Sequence, residues 1–444
     1  MSSIFSYNLR VQNAEDFLLV LSRQLSNNYI YFTYGKSLPW ANDASPDQAN
    51  TSVSTFNDIW KNMIGAKLMT GNEVKHVIPR FNWAANTVFH VYDDCQCSLQ
   101  QFTPNSNFYM VTSDWNVYKC LNNSSNANST IMPTQVYTDR AIEESDGYVW
   151  KFMYNIPSED RIRFTTDSYM PVKYININDA SLQWQVQANA VPAAIESTIM
   201  TNPGSGYTNA NTIIVTVTGD GTGASAVARI NAQSNTISSV VMVSKGSGYT
   251  YANVSISDSG TGTNAAARAV LSPPGGHGSN ALRELGGAYL IINPRLEYDQ
   301  NGYFPPTNDF RQISLIQNPV DNGTKGIAAN AVYSQFITAT VDTGVTDYNQ
   351  DELVYQGTSL AQAYFSGYVD SWDAANSQIR LINTVGNIQS DVLVGIGSGT
   401  ARYVQSFSNK QLVPYSGTLL YVDNISPISR APDQIEDFKI VMQF

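Results

Sequence analysis

Tyr148, Trp150, Phe152 and Tyr154 alternate with Val149, Lys151 and Met153. Successive strand residues point to opposite faces of a sheet, so this period-two run predicts a strand whose four rings share one buried face. Aromatic cross-strand packing stabilises such a face, and Asp146-Gly147 just before it is a turn signal that sets where the strand begins. Helical spacing is confined to the first part of the chain. Asn13 is placed to cap a helix with Phe17, Leu18, Val20, Leu21 and Leu25 on one face. Phe56, Ile59, Trp60, Met63 and Ile64 give a second helical stripe. Beyond about residue 70 the pattern turns to strands, at 108–111 and 117–121 before the aromatic run, with a polar turn at 122–128. Later apolar runs at 288–292 and 312–316 read as buried strands. From 336 to 407 short strands alternate with glycine turns, as in a small barrel. Phe438, Ile440, Met442 and Phe444 return to period two and tie the last residues into a sheet.

A repeat occupies the middle. Gly204-Ser205-Gly206-Tyr207-Thr208-Asn209-Ala210-Asn211 returns as Gly246-Ser247-Gly248-Tyr249-Thr250-Tyr251-Ala252-Asn253, and Thr222-Gly223 with Ala226, Ala228 and Arg229 returns as Thr261-Gly262 with Ala265, Ala267 and Arg268. Two copies are fewer than the ~3 a solenoid needs, so a compact lobe of paired hairpins is expected, closed by Pro273-Pro274-Gly275-Gly276. The expected fold is mainly β: a β-sandwich core with a few α-helices in loops, an inserted β-hairpin repeat lobe and a small β-barrel-like C-terminal unit. Its segments are 1–195 (N-terminal helices plus antiparallel sheet), 196–274 (the two-unit lobe), 275–335 (return to the core), 336–408 (the small β-rich unit) and 409–444 (strands closing the core).

A chain of 444 residues can bury a large core in about three domains. Hydrophobic residues make up 43% but charged residues only 14%, against roughly 25% in an average soluble protein. The surface is therefore carried by uncharged polar groups, which suits wide, wet protein contacts. A net charge of −11, with no basic run, argues against nucleic acid as a partner. No apolar stretch is long enough for membrane insertion, and Met1-Ser2-Ser3-Ile4-Phe5-Ser6 lacks a signal-peptide pattern, so a soluble protein made in a cytoplasm is expected. Cys95, Cys97 and Cys120 form an odd set, so reduced thiols are expected.

Groups suited to catalysis are few. The histidines are His76, His90 and His277, with no zinc-protease, serine-hydrolase or phosphate-loop motif around them, so no catalytic residue and no cofactor is assigned. His277, in Gly275-Gly276-His277-Gly278-Ser279, reads as a turn histidine bonded to backbone. Gly221-Thr222-Gly223-Ala224-Ser225-Ala226 fits a dinucleotide-loop pattern weakly. Its recurrence at Gly260-Thr261-Gly262-Thr263-Asn264-Ala265 makes it a hairpin turn in which glycine supplies positive φ. His90, Cys95, Cys97 and Cys120 are a conceivable zinc set, but Cys-x-Cys is the wrong spacing, so no metal is assigned and the thiols read as buried small hydrophobes. The pairs Asp93-Asp94, Glu143-Glu144 and Glu159-Asp160 read as solvated turns.

Several dispersed segments carry a family likeness: Trp60-Lys61-Asn62-Met63-Ile64, Val77-Ile78-Pro79-Arg80-Phe81-Asn82-Trp83, Tyr92-Asp93-Asp94, Asn116-Val117-Tyr118-Lys119-Cys120-Leu121 and Asp146-Gly147-Tyr148-Val149-Trp150-Lys151. Further on come Gly276-His277-Gly278-Ser279, Glu284-Leu285-Gly286, Asn308-Asp309-Phe310-Arg311 and Leu420-Tyr421-Val422-Asp423-Asn424 through Arg430, Gln434 and Glu436. Together they resemble the baseplate wedge subunit family of T-even-type contractile-tailed bacteriophages, the gene product eight family. The resemblance implies a non-enzymatic structural protein of the virion tail baseplate, assembled in the host bacterial cytoplasm. It implies a homodimer with a β-sandwich and helices in loops, whose partners are the other baseplate wedge subunits in assembly and tail contraction. The lobe at 196–274 is extra to that pattern. The competing expectation is an adhesin that binds carbohydrate through Tyr207 and Tyr249, set beside glycine turns in the lobe.

Overall fold

The computed structural model describes residues 6–22, 28–96, 102, 105–300, 302–306 and 309–444; Leu25, Cys97 and Asn308 lie outside them. The chain forms two units, one of residues 1–16, 75–292 and 439–444, the other of 17–74 and 293–438. The N-terminal stretch 1–195 is therefore shared between them.

In the first unit two antiparallel sheets face each other. One orders Ile440–Gln443, Tyr289–Ile292, Val74–Pro79 and Tyr169–Pro171; the other orders Tyr109–Val111, Asn116–Asn123, Tyr148–Asn155 and Ile142–Glu143. Ile78 and Met170 from the first meet Tyr109, Val111, Val117, Met153 and Tyr154 from the second in one core, a sheet-on-sheet sandwich. The helix Tyr7–Ser22 adds Tyr7 and Val11 to it. That helix begins well before Asn13, which sits exposed in its interior. Burial of Tyr7, Val11 and Ala14 at i, i+4 and i+7 sets its face and outweighs the local capping preference of Asn13.

The aromatic strand departs from expectation in one respect. Tyr148, Trp150 and Phe152 join Phe89, Tyr118 and Cys120 in a second core, covered by Val186 of the helix Leu182–Ala188, whereas Tyr154 joins Met153 in the sandwich core. The register explains the split. Tyr118 pairs with Phe152 and Val117 with Tyr154, so Met153 is bulged out of the ladder and the alternation changes phase behind it.

The lobe's six strands are Ile195–Ser205, Ile213–Gly219, Thr222–Asn231, Thr236–Ser247, Ala252–Asp258 and Thr263–Leu271. It contains hairpins, Thr222–Asn231 with Thr236–Ser247 and Ala252–Asp258 with Thr263–Leu271, and its copies also interlock. Ile195–Ser205 pairs with Thr263–Leu271, Thr236–Ser247 pairs with Thr222–Asn231, and Ile213–Gly219 pairs with Ala252–Asp258. The tyrosines follow the same pseudo-two-fold exchange. The Tyr207 hydroxyl accepts the Ala265 N–H at 3.2 Å and the Tyr249 hydroxyl accepts the Ala224 N–H at 3.3 Å. Each ring lies on a glycine of the other copy: a Cβ at Gly262 would come within 2.2 Å of Tyr207, and one at Gly221 within 2.5 Å of Tyr249. Close approach, not positive φ, is thus why both positions are glycine.

The second unit holds a five-stranded sheet in the order Val332–Ser334, Met63–Leu68, Ile30–Gly35, Phe310–Gln317, Thr418–Ile428. Its helix Val53–Asn62 is capped by Ser52, whose hydroxyl accepts the Thr55 N–H. It stops before Met63 and Ile64, which begin a strand instead. The Asn62 carbonyl is taken by the Lys36 N–H at 3.0 Å, across a contact so close that a Cβ on Gly35 would lie 2.2 Å from that oxygen. Residues 337–408 form a closed six-stranded barrel as the glycine-punctuated pattern indicates, filled by Ile337, Ala339, Val341, Val354, Val369 and Leu381.

Gly262→Ala is expected to cost about 1–3 kcal/mol by overpacking Tyr207. Urea unfolding of the variant measures it; an unchanged midpoint would show that the ring is not seated on this glycine.

Candidate functional site

Lys119 and Lys151 stand directly opposite each other on adjacent strands and both are fully buried. An ammonium is tolerated there only with strong partners. Lys119 Nζ lies 2.7 Å from Glu284 Oε2 and 4.2 Å from the centre of the Tyr92 ring. Glu284 ends the short helix Ala281–Glu284, and its oxygens also accept the N–H groups of Gly278 (2.9 and 3.0 Å) and Asn280 (3.0 Å). The carboxylate is thereby saturated. Burial lowers the Lys119 pKa, and Glu284 opposes that shift. Lys151 donates to the Thr138 carbonyl at 3.3 Å; its pKa too is lowered, chiefly by burial. Nearby, Lys245 reaches Glu196 at 3.4 Å.

His277 is not a turn histidine bonded to backbone. Its ring is fully buried, stands edge-on to Tyr92 at 4.9 Å, and neither nitrogen has a hydrogen-bond partner among the described residues. Gly276 and Gly278, at φ +96° and +90°, let the loop turn the imidazole inward. Burial first, then the charges of Lys119, Lys151 and Lys245, push its pKa well below 6.5, so it is a neutral wedge.

Of the acidic pairs, Glu143 and Glu159 are exposed, as the solvated reading expects, whereas Asp93, Asp94 and Asp160 are engaged. Arg268 of the lobe binds Asp94 at 2.7 Å and also Asp93, while Asp94 accepts the Leu271 N–H at 2.9 Å. Glu143 meets Arg229 at 3.3 Å and Asp160 meets Lys75 at 3.0 Å. Burial raises the pKa of Glu144. His90 and Cys95 are exposed and Cys120 is buried in the aromatic core, so of the two described cysteines Cys120 fits the reading of buried thiols and Cys95 does not. Among the described residues the cluster with metal-ligand types is Asp93, Asp94 and Cys95; its carboxylates already carry Arg268. The second unit has its own buried pairs. Arg430 lies 2.6 Å from Glu436 and donates to the Phe304 carbonyl at 2.7 Å, and Arg311 meets Asp43 at 3.0 Å.

Tyr92-Asp93-Asp94, Lys119, Lys151, His277 and Glu284 are far apart in sequence and converge here. Sequence reasoning did not find the cluster. Its one local signal was a lysine inside each of two strongly apolar strands. With the side chains of Lys119 and Glu284 only 0% and 3% exposed, no dissolved substrate reaches them. What they do is fix the sheet to the loop 273–284, as Arg268 fixes the lobe to the loop at 93–94.

The chain matches the model of the family described as Bacteriophage T4, Gp8, over residues 3–121 and 86–201. It is 22% identical over 207 residues to the baseplate wedge protein gp8 of Enterobacteria phage T4, covering 39% of this chain and 61% of that protein. The chain therefore spans about three fifths of the length of the curated relative it matches. The stretch matched by the family model contains Tyr92, Lys119 and Lys151 and ends inside the first strand of the lobe.

Lys119→Met leaves the Glu284 carboxylate buried without its cation and is expected to cost about 3–5 kcal/mol, much of it recovered when Glu284→Gln is added; denaturant unfolding of the single and double variants checks this. His277 predicts an acid-labile fold. Its folded pKa lies below the unfolded value of 6.5, so the unfolded chain binds the proton first and stability falls as pH drops below about 6.5, by up to about 1.4 kcal/mol per pH unit. His277→Leu should flatten that slope in urea midpoints measured between about pH 7.5 and 5; an unchanged slope would show that other groups set it.

Proposed function

We propose that this chain is a structural subunit of a phage tail baseplate wedge, acting through protein–protein contacts in baseplate assembly and tail contraction. In this reading it is a homodimer, joins other wedge subunits, and works in the virion after assembly in the host cytoplasm. The carrying observation is that Lys119 and Glu284, from two of the segments that carry the family likeness, meet in a buried ion pair that holds a sheet to a loop. Rigid sandwiches and barrels suit an assembly whose subunits move as bodies while their shared surfaces rearrange. A sparsely charged surface makes such contacts less sensitive to salt. No helix among the described residues is long and apolar enough to cross a membrane. The adhesin reading loses its motivation, because Tyr207 and Tyr249 are only 2% and 4% exposed and spend their rings inside the lobe.

Co-expression with the other wedge proteins of the same phage is expected to yield a stoichiometric complex, and sedimentation of the isolated chain a dimer. A folded chain that co-purifies with none of them would overturn the assignment.

A further inference from the structure

In the second unit a cavity of about 530 Å³ lies where the helix Val53–Asn62, barrel residues 384–388 and the segment 409–415 meet. Trp60 and Lys61 line it from the helix, Val385 and Ile388 from the barrel, and Lys410 and Tyr415 from the segment that leaves the barrel. The Trp60 side chain is 1% exposed, yet its indole N–H has no acceptor among the described residues. Buried donors almost always have one, because an N–H taken out of water without an acceptor is costly. Lys410 is the second donor left over. Burial pushes its pKa down to about 8, and no carboxylate acts against that shift. Lys61 adds an ammonium at the rim, 43% exposed and held only loosely by Asp58 at 3.9 Å.

None of the described residues lining the cavity is acidic, in a chain whose net charge is −11. Asp321, beside the lining residue Asn322, is taken by the N–H groups of Gly323 and Thr324 and by the Tyr333 hydroxyl, each at 2.8 Å. We propose that this cavity is a carboxylate-binding site, in which Lys410 and Lys61 meet the charge, the Trp60 indole N–H donates to an oxygen, and Val385, Ile388 and Tyr415 receive the apolar body that carries the group. The volume falls in the range of small-molecule sites, roughly 300–1,000 Å³. Val385 and Tyr415, 59% and 51% exposed, give such a body a surface to cover, which a free, strongly hydrated phosphate does not need. A free organic acid and the acidic side chain of a neighbouring chain present the same group.

The site belongs to this chain alone and does not depend on the baseplate reading. In the purified full chain, the indole N–H resonance of Trp60, identified by its loss in Trp60→Phe, is expected to shift saturably with millimolar phenylacetate and not with neutral phenylacetamide. Calorimetric titration of Lys410→Met, which keeps the indole, should show phenylacetate binding weakened about tenfold or more at an unchanged melting temperature, with Lys61→Met weakening it less. A blocked tripeptide with a central glutamate separates the two sources. Tighter binding than phenylacetate assigns the site to an acidic side chain and weaker binding to a free organic acid; either upholds it. No shift with either probe, an equal shift with phenylacetamide, tighter binding of inorganic phosphate, or a Lys410→Met chain that binds as well as the natural one would overturn it, and none of these outcomes touches the baseplate assignment.

Discussion

Taking Lys119 and Glu284 out of water costs several kcal/mol per ion, and their attraction offsets this only when the remaining donors and acceptors are satisfied. The fold meets that condition in detail. Two backbone N–H groups of the loop 278–280 complete the shell of Glu284, the Tyr92 face lies under the ammonium, and the neutral His277 fills space without adding charge. The sheet register, the loop's glycines and the short helix that carries Glu284 must all be right at once, or a buried charge is left unpaired. A core of only apolar residues would tolerate small shifts; this one does not, which is a way of obtaining a single stiff geometry.

The same economy appears where the lobe is attached and again in the second unit. Arg268 anchors the lobe through Asp93 and Asp94, and in the second unit Arg430 with Glu436 plays the corresponding part between strands and loops. A chain with few charges has placed a good share of them inside.

Much of the architecture was legible. The glycine-punctuated alternation from 336 to 407 marked the barrel, and the duplicated Gly-Ser-Gly-Tyr marked the lobe, because both signals are local. What depends on a partner strand was not. The bulge at Met153 exists only relative to Val117 and Tyr118, so nothing in the alternating rings shows that Tyr154 changes face. The interlocking of the repeat copies is equally a matter of pairing. The charged cluster was half visible, since Lys119 and Lys151 interrupt apolar strands, but Glu284 lies 165 positions from Lys119 and no spacing rule links them. The end of the second helix at Asn62 was set by Gly35 and Lys36, again from a distant strand.

The interlocked lobe enters and leaves the sandwich at one place, for Ile195 is the ladder partner of Leu271. To the host fold it is a loop whose ends are already closed, so its presence changes neither the path nor the spacing of the strands on either side. Such a cassette can be gained, lost or exchanged between related chains with little topological consequence. Its internal exchange of strands has the opposite effect on itself. Ile195–Ser205 with Thr263–Leu271 and Ile213–Gly219 with Ala252–Asp258 each need a strand from both copies, so these ladders close only after both copies have been synthesised, and their long range makes them a slow-forming part of the chain.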